Sequence, residues 1–379
     1  MTRGLVVLFA FCCGAIVANL YYAQPIIALI APDVALSSQG ASLVVALTQV
    51  GYALGMFFLV PLADLLENRR LMISTVVLAG LSLLAAGLAQ RPGPFLALSL
   101  LVGFSSVAVQ MLIPLAAHMA PPAIRGRVLG SIMSGLLLGI LLARPLASLV
   151  ADHFGWRAVY WLAALAMLAI IGVLATTVPT YRPAHRASYA ALIASLGLLL
   201  KRHALLRQRA LYQALMFAGF SLFWTAVPLE LAHRHGLSQS QIALFALVGA
   251  VGAIAAPLAG RWADAGHTRI ATRAAVALLI LAFALGLAPS VVCLALTGVV
   301  LDFAVQMNMV LGQRAIYDLD AHSRARLNGL YVTSIFVGGA CGSALASPVY
   351  TYFGWWGVAS IGMALGVVNG VWVMSSETR

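Results

Sequence analysis

Asp302, Arg144 and Glu230 stand inside long apolar runs, where a charged side chain costs about 2.5–3.5 kcal/mol on insertion scales. Asp302 lies deepest. A helix that begins near Val291 carries it about 16 Å along the axis at about 1.5 Å per residue. Gln306, Met309 and Gln313 follow at i+4, i+7 and i+11, so one helical face carries an acid and two amides. A carboxyl group held away from water can take up a proton and release it where water favours the anion. An amide one turn away hydrogen-bonds either form. That is proton-coupling chemistry, and Glu230 is the second acid placed to do it. The alternative reading of Asp302 is an interhelical hydrogen-bond anchor. Arg144 lies about 25 Å from Arg127, and Glu230 about 31 Å from Arg209, by helix rise. Both are then expected towards the outer interface, where long side chains reach polar surroundings. Alternatively, Arg144 attracts an anionic ligand or pairs with Asp302 or Glu230.

The residues that could line a binding site are spread along the chain. Gln213, Phe217, Phe220 and Trp224 share helical spacing, and Asn19 and Tyr22 share a side. A lining of Asn19, Tyr22, Gln110, Trp224, Asp302, Gln306 and Gln313, with Arg144, is apolar with a few polar fixing groups, as small-ligand sites usually are. Aromatic stripes also serve plain helix packing, and that reading stays open.

The elements that must hold these groups are helices in a bilayer. Of 379 residues, 63% are hydrophobic and 8% charged, with a mean hydropathy of +1.01. Soluble domains are about half apolar and about a quarter charged, which excludes a cytosolic enzyme, a disordered chain and a nucleic-acid binder. Spanning-length apolar runs fall near 4–31, 41–66, 71–89, 94–120, 127–151 and 155–178, and again near 209–231, 239–263, 270–288, 290–316, 327–351 and 354–375. Between the two sets, 179–208 is the longest polar stretch, with a short apolar segment from Tyr189 that suits an amphipathic surface helix. The expected architecture is an all-α membrane protein of twelve transmembrane helices in two pseudo-symmetric six-helix halves, 1–178 and 209–379, joined by a cytoplasmic linker over 179–208.

Eighteen of the 22 basic residues fall on the side of the termini, three (Arg91, Arg157, Arg234) on the other, and Arg144 within a span. The positive-inside rule then places both termini in the cytoplasm. The four cysteines show no pairing or metal-ligand spacing, and the eight histidines form no metal-type cluster. Walker-type, H-E-x-x-H and G-x-S-x-G motifs are absent, which disfavours an ATP-driven pump, an intramembrane hydrolase or any other membrane-embedded enzyme. No cofactor and no metal are expected.

An internal repeat divides the chain. Arg125-x-Arg127-x-x-Gly130 returns as Arg324-x-Arg326-x-x-Gly329, an offset of 199. At the same offset Ala147-Ser148 matches Ala346-Ser347, and Phe154-Gly155-Trp156 matches Phe353-Gly354-Trp355. Ala23-x-Pro25 has its counterpart in Ala226-x-Pro228. Two six-span repeats with a site where they meet is a plan of secondary transporters, and a receptor or enzyme needs no such duplication. Asp302 has no acidic counterpart in the first half, so the frame is repeated and the acid is not.

The chain resembles the Major Facilitator Superfamily over essentially its whole length. The loop Val60-Pro-Leu-Ala-Asp64-Leu-Leu-Glu-Asn68-Arg69-Arg70 keeps the aspartate and arginine pair of the family's G-x-x-x-D-R-x-G-R-R signature. Its second copy runs Gly260-Arg-Trp-Ala-Asp264-Ala-Gly266-His-Thr-Arg269. Asn19-Leu-Tyr-Tyr-Ala-Gln-Pro25, Thr48-Gln-Val-Gly-Tyr-Ala-Leu-Gly55 and Arg326-Leu-Asn-Gly-Leu-Tyr331 are similar to bacterial efflux permeases of the drug/proton antiporter type. The span 4 segment Leu101–Val107 lacks that group's arginine, and its span 5 motif is reduced to Gly135-x-x-x-Gly139.

The resemblance implies a secondary transporter of the bacterial inner membrane that exports a small organic molecule by alternating access and proton antiport. Its partners would be the small-molecule substrate, protons and membrane lipids, with no nucleic acid, and the chain would work as a monomer. Proton symport or uniport of a sugar or small carboxylate is the alternative within the fold. Spans 1, 4, 7 and 10 would line the cavity. Asp64 with Arg69 and Arg70, and Asp264 with Arg269, would form the inner gate.

Overall fold

The computed structural model describes residues 2–121, 124–180, 188–249, 255–288, 290–320 and 323–377. Its helices are α1 (Arg3–Ala18), α2 (Ile27–Asp33), α3 (Leu43–Phe58), α4 (Asn68–Leu88), α5 (Pro92–Ser105), α6 (Ala108–Met119), α7 (Arg125–Phe154) and α8 (Trp156–Thr177). The order continues with α9 (Tyr189–Arg202), α10 (Ala204–His233), α11 (Gln239–Ala246), α12 (Ala255–Asp264), α13 (Thr268–Leu285), α14 (Val291–Tyr317) and α15 (Arg324–Glu377). No strand occurs among the described residues. That is the expected outcome in hydrocarbon, where every backbone N–H and C=O must find its partner inside the segment.

Among the described residues, the helices other than the short α9 fall into twelve spans. Nine stretches among the described residues are long and apolar enough to cross a membrane. The last of them, Arg324–Ser375, is two spans, because Gly354 interrupts it with non-helical backbone at φ 61°. The first span is α1 and the apolar part of α2, to Ala31, with a break between them. The eighth is α11 and α12, with 250–254 outside the described residues. Gly155, the repeat partner of Gly354, separates α7 from α8 at φ 81°. A residue with a Cβ is strained at such angles, so both halves turn from their fifth to their sixth helix on glycine.

The chain divides into two compact units, one of Met1–Leu36 with Leu47–Ser195, the other of Ser37–Ala46 with Leu196–Arg379. Within the first, α1 and α7 meet on small residues. A Cβ on Gly135 would fall 2.5 Å from the Ala10 carbonyl oxygen, and one on Gly139 would overlap Gly14. In the second unit Gly338 and Gly342 of α15 meet Ala214 and Ala218 of α10 in the same way. Small residues let helix backbones approach where hydrophobicity alone gives no drive to associate.

Several ends are capped locally. The Ser290 hydroxyl accepts from the Cys293 N–H at 3.1 Å and starts α14. Ser238 and Gln241 form a reciprocal capping box on α11. The first span breaks because Pro25 has no N–H to give the helical ladder. A 3-10 turn, Gln24–Ile26, spaces α1 from α2. Span 4 breaks between α5 and α6, where the Ser105 and Ser106 hydroxyls bond back to the Leu101 and Val102 carbonyls at 2.6 and 2.7 Å. Such back-bonding bends helices.

Candidate functional site

In the second unit Asp302 sits eleven residues into α14 and is 7% exposed. Its Oδ1 accepts from the Trp224 indole N–H at 2.8 Å, which ties α14 to α10. On its other side the carboxyl rests against the backbone of span 8. A Cβ on Gly249 would meet Oδ2 at 2.5 Å and the Trp224 ring at 3.1 Å. Trp224 is itself buried, edge-on to Phe223 at 5.3 Å and to Phe245 at 6.3 Å between ring centroids. The acid therefore meets an indole donor in a wall of aromatic rings.

The rest of the predicted face of α14 divides. Gln306 is half-buried, and Gln313 donates to the Asn328 side-chain oxygen at 3.3 Å. The residue that packs inward is Asn308, whose amide donates to Gln213 at 2.6 Å, while Gln213 donates to the Val305 carbonyl at 3.2 Å. In the aromatic stripe, Phe217 and Phe220 stack at 4.9 Å, Gln213 cross-links helices, and Trp224 meets the acid. One stripe thus mixes packing with site geometry.

Glu230 is 2% exposed, not at an open interface. Its Oε2 accepts from the Tyr350 hydroxyl at 2.9 Å, and Arg234 lies 3.6 Å from Oε1. The phenol, 120 residues away in sequence, supplies the donor that lets a carboxylate be buried.

In the first unit Arg144 is also buried, at 4% exposure, where its length suggested reach to the outer surface. Its Nε donates to Gln24 Oε1 at 2.9 Å, and the guanidinium lies 5.2 Å from the centroid of the Tyr21 ring. The break in the first span turns both residues towards α7. Asn19, at the end of α1, donates to the Ser106 hydroxyl at 3.2 Å, and Gln110 donates to the Tyr52 hydroxyl at 3.0 Å. Tyr22 is half-buried.

The proposed gate residues are placed as follows. Asp64 is exposed in a 3-10 turn, Val60–Asp64. Arg69 donates to the Ala175 carbonyl, and Arg70 pairs with Glu67 at 3.2 Å rather than with Asp64. Arg269 is exposed, and the Asp264 side chain lies outside the described residues.

Sequence reasoning assigned no part to Gln24, Asn308 or Tyr350, nor to a cluster at the far end of the first unit. There the Asp33 carboxylate accepts from the Trp156 indole at 2.9 Å and from Arg157 at 2.6 Å. Arg157 also lies 4.4 Å over the Trp156 ring. The indole, and after it the guanidinium, hold the Asp33 carboxyl below its ordinary range. The signal available was the repeated Phe-Gly-Trp, since Trp355 at the matching position donates to the Gly286 carbonyl at 2.7 Å.

Comparison with known proteins agrees with this architecture. The sequence profile of the Major Facilitator Superfamily matches residues 7–214 and 209–379. The uncharacterized transporter YgaY of Escherichia coli O157:H7 is 39% identical over 97% of this chain and 94% of its own. A Streptomyces coelicolor protein named "Probable transporter SCO4007" is 31% identical over 93% of this chain and 83% of its own. Among solved structures, the nucleoside transporter NupG superposes with a TM-score of 0.77 over 100% of both chains at 14% identity. The human organic anion transporter MFSD10 superposes at 0.69 over 98% of this chain and 100% of its own, at 18% identity. These two likenesses are of fold.

Proposed function

The chain belongs to the Major Facilitator Superfamily, a multi-pass membrane transporter and not an enzyme, and from that premise we propose that it exports a small organic molecule across the bacterial inner membrane by proton antiport. The observation that carries this reading is the carboxyl group of Asp302, buried part-way along α14 against the Trp224 indole and the Gly249 backbone. The indole N–H can bond the anion, and the protonated carboxyl keeps an acceptor oxygen for the same donor. If substrate and proton compete for this one carboxyl, each released on the side where the other binds, alternating access exchanges them. The coupling needs only differential affinity in the two states. The half-buried Gln306, one turn along, is the amide that orients the substrate against the acid.

A ligand that raises the unfolding midpoint of the purified protein identifies a usable transport probe. In proteoliposomes with an imposed pH gradient the wild type should accumulate that probe. Asp302→Asn, which mimics the protonated acid, should lose accumulation at least about tenfold, the scale of 1.4 kcal/mol of coupling. Where the probe is neutral, the variant should retain part of its downhill exchange. Undiminished uphill transport by the variant would assign Asp302 to helix anchoring and move the proton site to Glu230.

A further inference from the structure

The first residues of α3, to Ala46, group with the second unit, and those from Leu47 on with the first. Ser42, immediately before α3, is 0% exposed and meets α15 twice through one hydroxyl. That hydroxyl donates to the Ala344 carbonyl at 3.4 Å and accepts from the Ser347 N–H at 3.2 Å. Ala41, Val44, Val45 and Ala46 beside it are buried, as are Ala346 and Ser347.

The sequence of α15 explains why a hydroxyl is wanted there. Pro348 stands inside the helix, and a proline has no N–H to give the carbonyl four residues back. That carbonyl belongs to Ala344. A span carbonyl that loses its ladder donor needs another, and Ser42 supplies it from outside the helix. A hydroxyl donates once and also accepts, so the same group takes the Ser347 N–H beside the proline. Neither alanine nor valine at this position offers either bond.

Elsewhere this stretch of α15 is fixed to α10. The Thr225 and Ser343 hydroxyls lie 3.3 Å apart, and Tyr350 donates to Glu230 at 2.9 Å. The bond to Glu230 is short and made to a carboxylate, which strengthens it, and both helices lie wholly within the second unit. The Ser42 bonds are neutral and longer, and α3 continues into the first unit. In a transporter whose halves move against each other, α3 cannot keep every attachment through the cycle, and its attachment at Ser42 is weak enough to open. We propose that Ser42 is a gating latch that seats the start of α3 on the Pro348 turn in this conformation and releases it in the opposite one. The latch rests on the alternating-access part of the proposed function, not on the transported molecule, its direction or the role of Asp302.

The test follows thiol labelling of Ala41→Cys, a position 5% exposed in this conformation, by a polar maleimide. It uses purified full-length protein with Cys293 and Cys341 replaced by serine, and the same background without Ala41→Cys sets the baseline. Ala346→Cys, also buried, serves as a second reporter. Ser42→Ala should raise the labelling rate about five-fold, the scale of one lost hydrogen bond. Ser42→Thr keeps the hydroxyl and should stay within about two-fold of its parent. Pro348→Ala returns an N–H to the Ala344 carbonyl, so in that background Ser42→Ala should change the rate by less than about two-fold. Labelling needs neither substrate nor a pH gradient, so a negative result bears on the latch and leaves proton antiport to the Asp302→Asn flux measurement. An unchanged rate in Ser42→Ala, an equal rise in Ser42→Thr, or a five-fold rise that persists beside Pro348→Ala would each overturn the latch. So would a lower unfolding midpoint in Ser42→Ala with no change in rate, which would leave Ser42 a packing residue.

Discussion

Asp33 shows how one exposed carboxylate joins two helix ends. It sits beyond the apolar run of the first span and receives an indole and a guanidinium from the start of α8. Because its folded pKa is depressed, its contribution to stability is complete above the unfolded value of about 3.9 and is lost as pH falls through the folded value. Asp33→Asn should therefore unfold at lower temperature than the wild type at neutral pH. That gap should narrow only when the pH drops below about 3.9, as melting curves across this range will register. A gap that is constant with pH would deny the linkage. At this scale the sequence was half legible. The depth of Asp302 follows from counting residues along a helix, because helix rise is fixed. Its Trp224 partner was placed on the right stripe, but their hydrogen bond was not foreseeable from spacing. Arg144 and Glu230 misled for one reason: their donors and acceptors, Gln24 and Tyr350, lie about 120 residues away, and side-chain length alone pointed outwards.

The helices were more legible than their interruptions. Runs of some twenty apolar residues announce spans, since hydrocarbon thickness sets their length. The breaks after Ala18 and Ser105 leave hydropathy unchanged, so only Pro25 hinted at the first and only the Ser105-Ser106 pair at the second. The glycine contacts between α1 and α7 give the element scale its prediction. Gly139→Val would push a side chain into the Gly14 backbone, where overpacking costs about 1–3 kcal/mol. Gly172→Val on α8, where a Cβ meets nothing within 4 Å, is the matched control. In detergent the first variant should unfold at a clearly lower temperature than the second. Equal midpoints would show that the α1–α7 approach tolerates expansion. Gly135-x-x-x-Gly139 was visible in the sequence, but its partner helix could not be read there, because helix pairing leaves no local trace.

For the molecule as a whole, the two-fold repeat and the charge asymmetry were the most legible features, being sums over many residues rather than properties of one. Eighteen basic residues against three predict cytoplasmic termini and a cytoplasmic α9. Alkaline phosphatase fused after Lys201 or after the last residue should be inactive, and green fluorescent protein at the same points should fluoresce. An active phosphatase at either point refutes the orientation. The polar cross-links of the first unit have a bearing on biosynthesis. Asn19 with Ser106, Gln24 with Arg144, and Gln110 with Tyr52 all close within the first 144 residues. A nascent chain meets each of these partners before the second half has been translated, so these buried polar groups need not wait, facing lipid, for helices the ribosome has yet to make.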